Sequence, residues 1–375
     1  NAGKSALANR LVGQDVAIVS ATAGTTTDPV QKAVEINGLG AALIIDTPGL
    51  DDITSLGKER MARTARMLDK TDIAVVLFTD AGTDTELKLL EELRVREIPA
   101  IVALTQSDRI ADSEALAKHI NILTNKEVIR LSATTGEGIE ALREAIVRCR
   151  PSDERLITEG FCKAGDIVML VMPQDASAPK GRLIQPQVQT IRELLDRGCI
   201  PICTTPDSMA EALAGLKEAP ALIITDSQAF EAAYRQKPEA STLTSFSILF
   251  ARYKGDIKLF TEGVKALGRL TPTSRILIAE ACSHTPQNED IGRVKLPRIL
   301  RKKFGEELHI DIVGGNDYPE DLTQYDLVIH CGACMFNRKH VLSRVERARS
   351  QGVAITNYGV ILAALTGILD RVRVD

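Results

Sequence analysis

The chain has 375 residues, of which 44% are hydrophobic and 26% charged, and its formal net charge is −4 at pH 7. This length favours two or three domains, and the weak acidity gives no reason to expect nucleic acid or an anionic membrane as a partner. No run approaches the ~18 unbroken apolar residues of a membrane span. The seven cysteines are unevenly spaced, which is untypical of a secreted disulfide scaffold, so we expect a cytoplasmic protein.

The chain begins with "NAGKSALANRL", in which Gly3-Lys4-Ser5 precedes a helical pattern. This is typical of the end of a phosphate-binding loop, where backbone N–H groups surround the phosphates, lysine reaches them and the hydroxyl binds magnesium. The first glycine of that loop and the strand before it do not stand in the sequence. We therefore expect the chain to be incomplete at its N-terminus.

Three apolar runs that end in polar motifs follow in chain order: "LIIDTPGL" (43–50), "AIVALTQSD" (100–108) and "VIRLSATTGEG" (128–138). A hydroxyl-rich segment, "TAGTTTDP" (22–29), precedes them. Alternating strands and helices with polar groups at the carboxyl ends of the strands predict an α/β domain with an open, mostly parallel sheet over residues 1–150.

This order of motifs resembles the P-loop GTPases of the translation-factor-like class, in particular the TrmE/Era-like branch. The resemblance implies GTP and Mg²⁺ as ligands, with catalysis by the phosphate loop and the two switch segments. It assigns Ala2, Gly3, Lys4 and Ser5 to the phosphate loop, Ser5 and Thr26 to the binding of magnesium, and Asp46 and Gly49 to the DxxG element. Asp108 would bind guanine, and Ser132 and Ala133 would support the base. The catalytic residues that the resemblance implies are Lys4, Thr26, Asp46 and Gly49.

Two details refine this resemblance. Asn1, together with the "GTTTD" segment, is similar to the potassium-activated GTPases, in which an asparagine helps to hold K⁺ at the transition state; an asparagine that only stabilises the loop is the alternative. The guanine motif N-K-x-D is replaced by Thr105-Gln106-Ser107-Asp108. We expect guanine preference to survive with weaker affinity, because Asp108 still accepts hydrogen bonds whereas Gln106 lacks the lysine stem and charge.

Residues 151–240 read as a second, smaller α/β domain after a linker with proline, serine and charged residues at 149–160. The range carries no catalytic or metal-binding pattern, and by elimination we expect it to pair subunits in a homodimer. Cys199 and Cys203, in "CIPIC", are predicted to be small core residues rather than metal ligands.

Residues 241–375 predict a third, smaller α/β domain in which two strands end in cysteines. One strand runs into "ACSHT", with Cys282 and His284, and the other into "HCGACM", with His330, Cys331 and Cys334. Because parallel strands end at one edge of a sheet, we expect both segments to share a crevice. A redox dithiol, a structural zinc site, buried unligated thiols and an iron–sulfur cluster on three thiolates all remain possible on residue types alone.

The pattern C-x-H followed by H-C-x-x-C behind a GTPase domain resembles the FeFe-hydrogenase maturation GTPases, the HydF family, and the resemblance spans the chain. It implies a 4Fe–4S cluster on Cys282, Cys331 and Cys334, with His330 as a possible fourth iron ligand and His284 as a possible further ligand or transfer residue. Histidines that only make orienting hydrogen bonds or pack in the core are the alternative.

The same resemblance implies a GTP-hydrolysing scaffold that receives a di-iron precursor from two radical enzymes and delivers it to apo FeFe-hydrogenase. GTP would then control the exchange of partner proteins. A GTPase with structural zinc that acts in ribosome or RNA modification is the alternative, and the acidic charge and scarce aromatic residues argue against it.

Overall fold

The structure is a computed structural model. It describes residues 4–12, 31–36, 38–45, 67–80, 84–150, 155–174, 181, 183–281, 290–315, 317–333 and 336–375. The chain divides into two compact units, Asn1–Asp153 and Glu154–Asp375.

The first unit contains a hairpin and a parallel sheet. Its described strands are β1 (Gln31–Ile36), β2 (Gly40–Ile45), β3 (Ala74–Phe78), β4 (Ala100–Leu104) and β5 (Val128–Arg130). Strands β1 and β2 pair antiparallel, and Gly38 turns the chain between them at φ +85°. Strands β3, β4 and β5 pair in parallel in that order.

Helices cover both faces of the parallel sheet in the first unit. They are α1 (Lys4–Val12), α2 (Asp84–Val95), α3 (Ser113–Thr124) and α4 (Ile139–Arg148). Alternate residues of β4 separate two apolar clusters: Ala103 packs in the cluster of α1 and α4, and Val102 packs in that of α2 and α3. Helices on both sides explain why β4 is apolar at every position.

The second unit contains two four-stranded parallel sheets. The first sheet has the order β7-β6-β8-β9 and the second has the order β11-β10-β12-β13. The strands are β6 (Ile167–Val171), β7 (Ile200–Thr204), β8 (Leu222–Thr225), β9 (Thr242–Ser245), β10 (Arg275–Ala279), β11 (His309–Val313), β12 (Leu327–His330) and β13 (Ala354–Asn357).

The helices of the second unit lie between successive strands, except the last one, which follows β13. They are α5 (Gln185–Asp196), α6 (Met209–Ala214), α7 (Phe230–Gln236), α8 (Phe246–Lys254), α9 (Ile257–Gly263), α10 (Leu296–Phe304), α11 (Arg338–Ser350) and α12 (Tyr358–Leu365). One apolar cluster includes Ile223 of the first sheet and Ile278 of the second, so the two sheets share a core.

The α/β fold class predicted from the sequence is confirmed, with parallel sheets in both units and antiparallel pairing in the β1–β2 hairpin. The domain ranges 1–150, 151–240 and 241–375 stay a prediction. The predicted division at residue 240 falls just before β9, which is hydrogen-bonded to β8 in the first sheet of the second unit.

Among the described residues, none of the helices is both long and apolar enough to cross a lipid bilayer.

One close backbone contact fixes helix α9 on the second sheet. A Cβ atom at Gly263 would lie 1.9 Å from the carbonyl oxygen of Ile355 in β13. We therefore expect Gly263→Ala to push α9 away from the sheet and to lower the free energy of unfolding by about 1–3 kcal/mol, the usual range for overpacking. Urea denaturation followed by circular dichroism measures the change.

Gly268→Ala is the matched control, because a Cβ atom at Gly268 meets nothing within 4 Å. Its unfolding midpoint should stay at the wild-type value. Equal midpoints for the two variants would contradict the close-contact interpretation.

Candidate functional site

The two predicted guanine-binding segments lie side by side in the first unit. Strands β4 and β5 are neighbours, with Leu104 opposite Arg130 at their carboxyl ends. The backbone N–H of Ser107 donates to the carbonyl oxygen of Leu131 at 3.0 Å, and the Ser107 hydroxyl donates to the Glu137 carboxylate at 2.8 Å. The segments after the two strands are thus joined by backbone and side-chain bonds.

Asp108 is exposed at the head of this arrangement, within the 3-10 turn Ser107–Arg109. Thr105 is buried, and its N–H donates to the carbonyl oxygen of Phe78 at 2.9 Å. Gln106 has φ +56°, in the left-handed region. This turn places the Asp108 carboxylate at the surface, where it can accept hydrogen bonds from a base.

The loop after β5 is tightly folded around Ser132. Its side chain is buried, and its hydroxyl oxygen accepts from the N–H of Thr135 at 3.1 Å. Gly138 closes the loop at φ +72°, where a Cβ atom would lie 1.9 Å from the carbonyl oxygen of Arg130. The half-buried Ala133 follows Ser132 in this loop, at the same sheet edge as Asp108.

The predicted phosphate site is described only in part. Lys4 is the first residue of α1, and Leu7 packs that helix into the core of the unit. The backbone of Ser5 lies in α1, and its side chain is outside the described residues. The other predicted residues of this site, which are Asn1, Ala2, Gly3, Thr26, Asp46 and Gly49, lie outside the described residues. An N-terminal helix end with a lysine is suited to anionic phosphates.

A second candidate site lies at the carboxyl edge of the second sheet in the second unit. Strands β10 and β12 pair in parallel, with Ala279 opposite His330. The sulfur of Cys331, one residue beyond β12, accepts from the N–H groups of Ala281 at 3.0 Å and Ala333 at 3.4 Å.

The chain segments that carry the predicted cysteine ligands therefore meet at the sulfur of Cys331. Ala281 and Ala333 directly precede Cys282 and Cys334 in the sequence. Cys282, His284 and Cys334 themselves lie outside the described residues. Within the described part of the chain, no three histidine, cysteine or acidic side chains form a metal-binding group.

The chemistry of Cys331 fits a metal-bound thiolate. A sulfur that accepts two backbone N–H groups has its negative charge stabilised, as at iron–sulfur sites, where such bonds tune the reduction potential. Of the predicted sulfur donors, Cys331 is the one within the described residues, and its position fits a cluster on three cysteines.

The loop from Cys331 to Asn337, called the sulfur loop below, is anchored from α8. The ammonium group of Lys254 donates to the carbonyl oxygens of Ala333 at 3.0 Å and Phe336 at 2.7 Å. Arg338 donates back to the carbonyl oxygen of Tyr253 at 3.0 Å. Lys254 thus connects the end of α8 to the described parts of the sulfur loop, and Arg338 connects it to the first residue of α11.

His330 is fully buried, and both of its ring nitrogens have partners. Nδ1 lies 2.9 Å from the carbonyl oxygen of Cys331, and Nε2 lies 3.3 Å from Nη1 of Arg344. Because a guanidinium group only donates, the hydrogen-bond network assigns the proton to Nδ1 and the acceptor role to Nε2. Burial, and then the charge of Arg344, lower the pKa of His330 to about 3, so the imidazole is neutral.

Sequence reasoning missed three features of the second unit. Arg344 and Lys254 are buried, although lysine and arginine are usually solvated, and no local pattern marks them. Cys199 lies with its sulfur 3.7 Å from that of Cys162, and burial raises its pKa to about 11. The core assignment was wrong for Cys203, which is exposed because β7 is an edge strand.

Among curated proteins, the chain is similar to tRNA modification GTPases named MnmE. The protein of Lachnoclostridium phytofermentans is 38% identical over 153 residues, which is 39% of this chain and 31% of the relative. The protein of Vibrio vulnificus (strain YJ016) is 36% identical over 156 residues, 40% of this chain and 33% of the relative. The chain thus spans about a third of the length of these relatives.

Two solved structures show partial likeness. The cytosolic domain of the T. maritima FeoB iron transporter in a GDP form has 25% identity and a TM-score of 0.32, over 40% of this chain and 60% of that one. A probable GTP-binding protein engB has 21% identity and a TM-score of 0.33, over 40% of this chain and 93% of that one.

Three family models match successive parts of the chain. Residues 1–106 match the 50S ribosome-binding GTPase model. Residues 157–255 match the hydrogen maturase F dimerization domain, and residues 258–373 match the hydrogen maturase F tetramerization domain. The last two matches together cover more than half of the chain and include both sheets of the second unit. The chain belongs to the hydrogen maturase F (HydF) family, with a TrmE/Era-like GTPase domain at its N-terminus.

Proposed function

We propose that this protein is a GTP-hydrolysing scaffold that binds a 4Fe–4S cluster and a di-iron precursor and delivers the precursor to apo FeFe-hydrogenase. Membership of the family and the GTPase match support a GTPase of hydrogenase maturation. The cluster, the precursor and its delivery go beyond those findings. They rest on the chemistry of the sulfur site.

The observation that carries the cluster proposal is the convergence on Cys331. Its sulfur accepts hydrogen bonds from the N–H groups of Ala281 and Ala333, which directly precede Cys282 and Cys334. Ala281 follows β10, and Ala333 follows β12. We propose Cys282, Cys331 and Cys334 as the three thiolate ligands. When bound, the cluster would offer one iron without a protein thiolate, at which a cargo can be held and released.

The fourth iron would take an exchangeable ligand or the imidazole of His330, with His284 as a further candidate. In this structure both ring nitrogens of His330 are occupied. Ligation by His330 would therefore require Nε2 to leave Arg344. An exchangeable ligand at this iron fits a carrier better, because the bond that opens during transfer is then not a protein bond.

For the nucleotide site we propose that Asp108 accepts hydrogen bonds from the N1 and N2 groups of guanine. Ser132 and Ala133 would support the base from the neighbouring loop, as the bond between Ser107 and Leu131 suggests. Ala2, Gly3, Lys4, Ser5, Thr26, Asp46 and Gly49 would act on the phosphates and Mg²⁺, and Asn1 would help to hold K⁺. Hydrolysis would reorder the switch segments and so control partner exchange.

We propose a homodimer that pairs through the edge of β7. This edge surface consists of Val188, Leu195, Ile200 and Cys203, all exposed, with Leu195 56% and Ile200 52% exposed. An apolar edge strand is a surface that proteins cover by pairing with another chain. The dimerization-domain match over the same residues supports this choice.

The further partners in this proposal are the two radical enzymes that build the di-iron precursor, and the apo FeFe-hydrogenase that receives it. The proposed location is the cytoplasm, and the proposed partners include neither nucleic acid nor a membrane surface.

We expect the full chain, reconstituted anaerobically with ferrous iron and sulfide, to become brown and to retain cluster iron. Cys331→Ser should lower the retained iron by about tenfold or more, because even supporting residues of metal sites cost 10- to 100-fold when removed. Iron and sulfide analysis and visible absorption measure the loss. Cys149→Ser is the matched control, because Cys149 lies at the end of α4 in the first unit. A colourless protein that retains zinc would contradict the proposal.

Replacement of Asp108 should change the base that is bound. In Asp108→Asn the amide can no longer accept both guanine donors, and we expect GTP affinity to fall about tenfold or more, from a loss of about 1.5–3 kcal/mol. Xanthosine triphosphate should gain affinity, since its C2 carbonyl accepts from the new amide. Fluorescent-nucleotide titration measures both constants, with Glu140→Gln on the exposed face of α4 as control. Unchanged preference for GTP in Asp108→Asn would place the base elsewhere.

A charge on the β7 edge should break subunit pairing. Ile200→Lys places an ammonium group in the proposed apolar contact, and a loss of about 2 kcal/mol, typical of an interface anchor, weakens association about thirtyfold. Sedimentation velocity should show the assembly mass falling by half or more. Ile122→Lys is the control, because Ile122 is 78% exposed but lies on α3 of the GTPase unit. An unchanged mass for Ile200→Lys, or dissociation by the control, refutes this interface.

A further inference from the structure

Arg344 lies beneath the sulfur site as a buried cation. It belongs to α11, directly after the sulfur loop, and its side chain is 2% exposed. One guanidinium nitrogen lies 3.3 Å from the carbonyl oxygen of Glu280 and 3.3 Å from Nε2 of His330, and the other donates to the carbonyl oxygen of Gly315. The side chain thus connects the residues that follow β10 and β11 with the last residue of β12.

Two aromatic rings hold the guanidinium group in this position. Its central carbon lies 4.7 Å from the centre of the Tyr318 ring and 4.6 Å from that of Phe336, which belongs to the sulfur loop. Stacking and forked hydrogen bonds suit arginine and not lysine. The position of this charge is therefore set by five contacts from different parts of the unit.

The charge of Arg344 has no formal counter-charge among these contacts. Within the described residues its partners are carbonyl oxygens, a neutral imidazole and aromatic rings, and the carboxylate of Glu280 bonds instead to Arg293 at 3.0 Å. Its buried Nε has no hydrogen-bond partner in the part of the chain that is described. A buried cation is costly unless an anion lies near.

The sulfur site is a source of negative charge that acts on Arg344. Burial lowers the pKa of Arg344 to about 10, and the charge of Cys331 is the first of the influences that oppose this shift. A cluster on three thiolates is anionic, and more so when reduced. The buried guanidinium group is thus placed to compensate the charge of the loaded site.

We propose that Arg344 is a positioning residue of the cluster site: its fixed positive charge favours the reduced cluster, and its bond to Nε2 of His330 keeps that imidazole off the fourth iron. This inference rests on the proposed function. It adds a residue that touches neither the cluster nor a cargo and acts on both through charge and through His330.

The test is the reduction potential and the pulsed-EPR spectrum of the reconstituted full chain with ¹⁵N-labelled histidine. In Arg344→Gln the reduced cluster loses a nearby positive charge, so we expect a more negative potential than in the wild type. A strong histidine-nitrogen coupling that His330→Ala abolishes should appear in Arg344→Gln, since Nε2 is released, and no coupling from His330 should be present in the wild type. Arg344→Lys keeps the charge and should restore most of the potential.

Arg347→Gln is the matched control. Arg347 lies on the same helix and over the same Tyr318 ring at 5.6 Å, and it donates to the carbonyl oxygens of Tyr318 and Pro319. It should leave both the potential and the spectrum unchanged. Equal potentials in Arg344→Gln and the wild type, or an equal shift in Arg347→Gln, would overturn the inference.

If Arg344→Gln does not fold, the pulsed-EPR spectrum of the wild type can still refute the inference. A strong histidine coupling in the wild type that disappears in His330→Ala would show His330 on the iron and overturn it. If the wild type itself takes up no cluster, the proposed function fails, and the two failures are thereby distinguished.

Discussion

The parallel pairing of β10 with β12 is the constraint on which the second unit depends. It places Ala279 opposite His330, so that two segments far apart in sequence leave the sheet side by side. The N–H of Cys331 continues the ladder by donating to the carbonyl oxygen of Ala279, and its sulfur then accepts from Ala281. Slippage of either strand by one residue would turn every side chain to the opposite face and separate these groups.

Much of this arrangement could be predicted from the sequence, because it follows from local patterns. The apolar runs before Asp108 and before Cys331 are buried strands, and their ends carry the polar groups, as open parallel sheets require. The GTPase motifs and the cysteine segments were recognisable for the same reason. These features need no knowledge of how distant elements pack.

The remainder depends on tertiary contacts that leave no local pattern. Arg344 stands in "VLSRVERARS", a helix so polar that its arginines read as a solvated face, yet packing buries this one among two rings and three backbone segments. Cys199 lies next to Cys162 and not Cys203, because α5 and the turn before β6 bring positions 162 and 199 together. The membership of β9 in the first sheet is likewise set by pairing, since its short run of threonine and serine is not specific to either sheet.

The anchoring of the sulfur loop by Lys254 joins two parts of the second unit. Lys254 is the last residue of α8, which lies within the residues matched by the dimerization domain, whereas the loop lies within those matched by the tetramerization domain. Its ammonium group holds carbonyl oxygens on both sides of Cys334. Displacement of the end of α8 must therefore either carry these carbonyl oxygens with it or break both hydrogen bonds, so that the two matched ranges are mechanically joined at this point.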